Sequence, residues 1–134
     1  TALNLKANLA SPALTGTPTV PTAAPGTNTT QAASTAFVLA NQSGLGIGQT
    51  WQNVLGSRAL GTTYTNSTGK PISVSVSTAA SSDPNSLNVV VDWVSIINDV
   101  STAGASGAVT FIVPAGSIYS VGSAKTLNRW VELR

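Results

Sequence analysis

The sequence predicts an all-β protein, an antiparallel β-sandwich of jelly-roll-like type preceded by an extended segment and one short helix. Three observations carry this. After Arg58 the chain runs in short segments where apolar and hydroxyl residues alternate, most plainly Ile72, Val74 and Val76 against Ser73, Ser75 and Ser77. Clusters such as Asn66–Gly69 and Pro114–Gly116 interrupt these segments at strand-length intervals, the spacing of a sandwich. Before that body, Pro12, Pro18, Pro21 and Pro25 each remove a backbone donor, so neither a helix nor a central strand runs from Ser11 to Gly26. The expected division is residues 1–44 and residues 45–134.

In chain order, Leu3 and Leu5 alternate with Asn4 and Lys6 as a short extended start. The Pro/Thr region follows and closes on a Pro25-Gly26 turn. Its residues are small and neutral, without the Glu and Lys of ordinary disorder, so the stretch needs another surface to lie against. A helix is expected over about Thr29–Ala40, with Asn28 as N-cap and Gln31 completing a capping-box-like pair. Ala32, Ala33, Ala36, Phe37 and Ala40 share its apolar face, and Asn41–Gly44 ends it. That face suits a capping helix on its own domain or, the better fit, a three-fold cluster with Phe37 near the axis.

Gly44–Gly48 is a glycine-rich joint. No Lys-Ser/Thr follows it, so it is not a phosphate loop. Trp51 is expected to plug the base of the next domain, with an exposed, sugar-stacking Trp51 as the alternative. Strands are then expected at Leu60–Thr65 with a hairpin turn at Asn66–Gly69, at Ile72–Val76, and at Leu87–Val94. Further strands are expected around Ile96-Ile97, Val109–Val113, Tyr119–Val121 and Trp130–Leu133. Ala79–Asn85 and Asn98–Gly107 read as loops. In the third strand Leu87, Val89, Val91 and Trp93 are expected to face one way. The predicted core is Ile72, Val74, Val76, Leu87, Val89, Val91, Phe111, Val113 and Val121, with Tyr64, Tyr119, Trp51 and Trp130 sealing the ends.

Composition limits the chemistry. The 134 residues hold six Lys and Arg against four Asp and Glu, a net charge of +2, with no Cys and no His. Disulfides, thiolate zinc sites and thiol catalysis are excluded, and so are His ligands, His general bases and the familiar serine triad. Six scattered cations do not form the dense patch that nucleic acid requires. No run approaches a membrane-spanning length of about 18 apolar residues, so membrane insertion is not expected. The opening TALNLKANLA lacks a Met and a basic signal start, and is expected to be a cut edge within a longer protein. Asn28, Asn41 and Asn66 open glycosylation-like triplets that are read as chance.

The segment LASPALTGTPTVPTAAPGTNTTQAASTAFV, Leu9–Val38, resembles a short repeat of tail fibres from tailed bacteriophages and prophages. GQTWQ at Gly48–Gln52, RALGTTYTNSTGKPISVSV at Arg58–Val76, FIVPAGSIYSV at Phe111–Val121 and the terminal WVELR resemble a C-terminal domain of the same fibres. The resemblance implies an intertwined homotrimeric stalk, for which Leu9, Leu14, Val20 and Phe37 are the interface candidates. It also implies a receptor-binding tip at the distal end of the fibre, within the virion. One departure stands out: a small residue is expected after Val91-Asp92, and this chain has Trp93. Pointing outward, Trp93 becomes a receptor contact; pointing inward, a packing variant.

The side-chain carboxylates are Asp83, Asp92, Asp99 and Glu132, which turn formation and solubility explain better than catalysis does. The reading is therefore a non-enzyme with no cofactor and no metal site. Its expected partners are its own copies and a bacterial surface polysaccharide or outer-membrane protein. Asp83, Asn85 and Ser86 in one loop, Trp93, and Asn98, Asp99 and Thr102 in another are the receptor-contact candidates. The rival readings are a trimerisation and folding cap, and a carbohydrate-cleaving domain.

Overall fold

The computed structural model describes residues 15–82, 86–100 and 103–134. The chain divides into two units, Thr1–Gln42 and Ser43–Arg134.

In the first unit the described backbone runs without helix or strand, through a turn at Pro25-Gly26 and a bend at Thr29–Gln31, up to a single helix, α1, at Thr35–Ala40. It is shorter than expected and begins at a different cap. Ser34, not Asn28, accepts the backbone N–H of Phe37 at 3.1 Å, and the Thr22 and Ser34 hydroxyls lie 2.9 Å apart. Thr29 and Thr30 are β-branched and favour the extended form, so the helix waits for the serine. Asn41 closes the far end by donating to the Phe37 carbonyl and accepting from the Gly26 N–H. None of the described residues of this unit is buried.

The second unit holds eight strands: β1 Trp51–Asn53, β2 Tyr64–Thr65, β3 Ile72–Thr78, β4 Ser86–Val91, β5 Val94–Val100, β6 Ala108–Val113, β7 Ile118–Gly122 and β8 Leu127–Leu133. They form two four-stranded antiparallel sheets, ordered β1-β8-β3-β6 and β2-β7-β4-β5. Each of β1 to β4 pairs with the strand whose number completes nine, which is what one long hairpin gives when it is rolled into two layers. This is jelly-roll order. The hydrophobic core lies between the layers and contains all nine predicted core residues, together with Val109, Tyr119 and Trp130. Alternation explains the match: β6 buries Val109, Phe111 and Val113 and exposes Ala108, Thr110 and Ile112.

Several expectations need correction. Asn66–Gly69 is no hairpin turn, because β2 and β3 belong to different sheets. The segment is a crossing held by Asn66, which is buried and whose amide donates to the carbonyls of Lys70, Val113 and Pro114 at 2.8, 3.1 and 2.9 Å. Its Oδ1 accepts from the Thr68 N–H and hydroxyl, so Asn66 is sequestered from any glycosylation. Trp51 does not plug the base of the domain; it is 55% exposed on an edge strand. Trp130 and Tyr119 lie within the core rather than at its ends. The Gly44–Gly48 joint is tied down, since the Lys70 ammonium donates to the Ile47 carbonyl at 2.8 Å and Gln49 accepts from the Gly46 N–H.

Candidate functional site

The β4–β5 turn departs furthest from local preference. Leu87, Val89 and Val91 bury the inner face of β4, and Val91 pairs with Val94 across a reversal made by Asp92 and Trp93 alone. Both turn residues have positive φ, 48° and 67°. That is the signature of a type I′ hairpin, which matches strand twist but ordinarily uses Asn or Gly. Asp92 tolerates the conformation and is fastened to β7: its Oδ1 accepts from the Ile118 N–H at 3.1 Å and its N–H donates to the Ile118 carbonyl at 3.0 Å. Trp93 has no such local compensation. A bulky residue in the left-handed region costs about 1–2 kcal/mol, and Trp93, 81% exposed, recovers little of that by burial.

Beside Trp93 is a hollow of about 20 Å³ on the outer face of the β2-β7-β4-β5 sheet. Val90 and Ile118 supply apolar surface, Thr63, Asp92 and Ser120 supply polar groups, and Trp93 and Tyr119 complete the lining. The space suits one water or one methyl group.

The other sequence-derived candidates fall elsewhere. Ser86 opens β4 opposite Val100, while Asp99 pairs with Leu87 and Asn98 with Asn88. β5 continues to Val100, so Asn98 and Asp99 sit in a strand rather than in the expected loop. Ser86, Asn98 and Asp99 are thus brought to one end of the β4–β5 hairpin and Trp93 to the other, roughly 17 Å away at strand rise. Asp83, Asn85 and Thr102, and likewise Leu9 and Leu14, lie outside the described residues. Val20 is exposed and Phe37 half-buried in the first unit. Trp93 does not continue the alternation of Leu87, Val89 and Val91, because β4 ends at Val91. Sequence reasoning missed Thr63 and Ser120. A legible signal for the turn was present: two valine-rich runs separated by an Asp-X pair.

On the opposite sheet a cross-strand row has exposed ends and a covered middle, Ser73 being buried and Leu133 half-buried. Register places Trp51 beside Leu133, Leu133 beside Ser73 and Ser73 beside Ile112, one row across all four strands. Trp51 and Ile112 are each 55% exposed. The next row holds Asn53, Val131, Ser75 and Thr110, and Ser75 accepts from Thr110 at 3.1 Å.

Glu132 is the electrostatic centre of the domain. Its buried carboxylate accepts from Arg58 at 2.8 and 3.1 Å, from Tyr119 at 2.6 Å, from Trp130 at 3.0 Å and from Arg134 at 2.7 Å. Burial alone would raise its pKa, but the hydrogen bonds from Arg58 and Tyr119 and the charges of Arg58 and Arg134 hold it below the ordinary carboxylate range. Burial and the bond to Glu132 push the Tyr119 phenol well above its usual value. Arg58 also stacks over the Tyr64 ring at 4.5 Å. The expectation that solubility or a turn explains Glu132 is therefore wrong: it is a buried structural anion.

No protein-family model matches the chain. The chain is 73% identical over 37 residues to a probable tail fiber protein of Escherichia phage P2. That stretch of the chain is similar to part of a phage tail fibre protein. The match spans 28% of the chain and only 6% of the phage P2 protein. Among the described residues the exposed tryptophans are Trp93, at the strained β4–β5 turn, and Trp51, on the edge of the opposite sheet.

Proposed function

We propose that this chain is part of a phage tail fibre and adsorbs the virion to a bacterial surface, its jelly-roll domain meeting a polysaccharide or outer-membrane protein without turnover. The supporting observation is Trp93, 81% exposed at a turn whose φ of 67° a smaller residue would adopt at lower cost. Among the described carboxylates, Glu132 is enclosed by its donors and Asp92 is fastened to β7, so both have structural work.

The chain acts as a homotrimer at the distal end of the fibre. The absence of any buried residue in the described part of Thr1–Gln42 supports this. So does a groove of about 560 Å³ lined by small residues including Thr17, Pro18, Val20, Ala32, Ala33 and Ala36. A second copy laid along that groove would supply the missing burial. Three copies multiply a weak contact into useful avidity.

The test is adsorption of fluorescently labelled whole chain to a panel of Escherichia and other bacterial strains, with unlabelled chain as competitor. Saturable binding to a subset of strains supports the reading. Absence of saturable binding to every strain of the panel overturns it. A second reading, a trimerisation cap without receptor contact, is favoured by the Trp51–Leu133–Ser73–Ile112 row, a surface without charge that copies could share. Under that reading W51A lowers the solution mass and the whole chain does not adsorb to cells.

A further inference from the structure

Resting on the adsorption reading, the geometry at the β4–β5 turn narrows the class of receptor. We infer that Trp93 and the adjoining hollow form a saccharide subsite that takes a pyranose carrying a methyl group, either a 6-deoxy sugar or an N-acetylated one.

Two independent features carry this. The first is the backbone. The turn holds an indole in the left-handed region and almost wholly in solvent, where glycine would fit without strain. A planar, apolar side chain held out on a stiff turn is a stacking platform for the apolar face of a sugar ring. The turn is stiff because Asp92 is bonded twice to Ile118, so the platform is presented at little further loss of freedom.

The second is the hollow itself. At about 20 Å³ it is far too small for a sugar ring and large enough for one methyl group. Its lining divides by chemistry: Val90, Ile118 and the rings of Trp93 and Tyr119 give apolar surface, while Thr63, Asp92 and Ser120 bring polar groups to the same hollow that can pair with sugar hydroxyls or an amide. A water molecule would gain little from Val90 and Ile118. A methyl group on a ring stacked against Trp93 would bury itself there. The opposite sheet offers Trp51 in a row with Leu133, Ser73 and Ile112, which makes Trp51 the natural control.

The experiment uses the whole chain and paired probes differing in the methyl-bearing group: N-acetylglucosamine against glucose, and L-fucose against L-galactose. Binding is read by ligand-observed saturation-transfer NMR and by tryptophan fluorescence. The expected result is saturable binding of at least one methyl-bearing sugar, with its methyl protons receiving the strongest transfer. Its partner should bind about fourfold or more weakly, the worth of one buried methyl group. W93G, which removes the indole and relieves the turn, abolishes the response while raising the melting temperature; W51A retains it. Which of the two pairs responds separates the N-acetyl from the 6-deoxy source.

Equal binding within both pairs, or a response that survives W93G, overturns the inference. If no sugar binds yet the chain still adsorbs to cells, the inference falls and the adsorption reading stands; adsorption lost on protease treatment of those cells would then assign a protein receptor. If the chain adsorbs to no cells of the panel and binds no sugar, both readings fall together.

Discussion

Tyr119 in β7 and Glu132 in β8 belong to different sheets, and the 2.6 Å hydrogen bond between them fastens one layer of the jelly roll to the other through the core. The same carboxylate also holds Arg58, from the β1–β2 connection, and Arg134, beyond the last strand. Removing the anion strands several buried donors at once. We expect E132Q to destabilise the domain by about 3 kcal/mol, the low end for breaking a buried pair because Arg58 and Arg134 can turn partly to water. Y119F, which deletes one charge-assisted bond, should cost about 2 kcal/mol. Urea denaturation followed by tryptophan fluorescence measures both.

The same anion sets the acid limb of stability. Glu132 lies below its ordinary value of 4.5 in the folded state. The unfolded chain therefore binds the extra proton first as pH falls. Stability is full above about pH 4.5, declines below it, and loses the Glu132 contribution once pH passes beneath the folded value. Tyr119 acts in the other direction: its phenol is raised above 10.0, so the unfolded chain releases that proton first and stability declines above about pH 10. Melting temperature scanned against pH should show both limbs. The acid limb should flatten in E132Q and the alkaline limb in Y119F.

Much of this fold was legible because burial in a jelly roll follows strict alternation. Ile72, Val74 and Val76, and again Val109, Phe111 and Val113, lie on the inner face as their spacing requires. What stayed hidden depended on tertiary pairing. Nothing local to Asn66 says that its neighbouring strands part into different sheets, and its sequence reads as an ordinary turn. Glu132, between Val131 and Leu133, looks like a surface charge until Arg58, 74 residues away, is brought beside it. Trp93 was misplaced because alternation ran through a turn lacking the usual glycine. The Ser34 cap was missed because Asn28 and Gln31 form an equally good local pattern; the serine is favoured by the β-branched Thr29 and Thr30 before it and by its contact with Thr22, 12 residues away.

Asn66 is a second internal fastener, and its amide is specific. Its Nδ2 serves three carbonyls while its Oδ1 receives Thr68. N66D keeps the size but replaces the donor with a buried anion facing carbonyl oxygens, so it should destabilise more than N66A. We expect losses of about 3 and 2 kcal/mol respectively, read from thermal melts. Equal or reversed effects would place the worth of Asn66 in its volume rather than its hydrogen bonds.

Oligomeric state tests the unburied first unit. Light scattering on the whole chain should give three times the chain mass, and on residues 43–134 a smaller species. A residue such as Val20, exposed in the single chain, would then gain a partner, and V20D should shift the whole chain toward monomer through an unpaired charge at the contact. A whole chain that stays monomeric at micromolar concentration would remove the groove's proposed occupant.

W93G separates strain from function. At the second position of a turn with positive φ on both residues, glycine removes a penalty of about 1–2 kcal/mol for the left-handed conformation. It returns part of this by loosening the unfolded chain, by about 0.4–1 kcal/mol. The net gain should be close to 1 kcal/mol, a rise of about 5 °C in melting temperature for a domain of this size. Little packing is lost, since the indole is 81% exposed. W93A keeps the strain of a Cβ and should leave stability nearly unchanged. If adsorption falls in both variants while stability rises only in W93G, the indole serves an external partner. If W93G instead melts lower, Trp93 is packing on the domain, and the case for it as a contact residue ends.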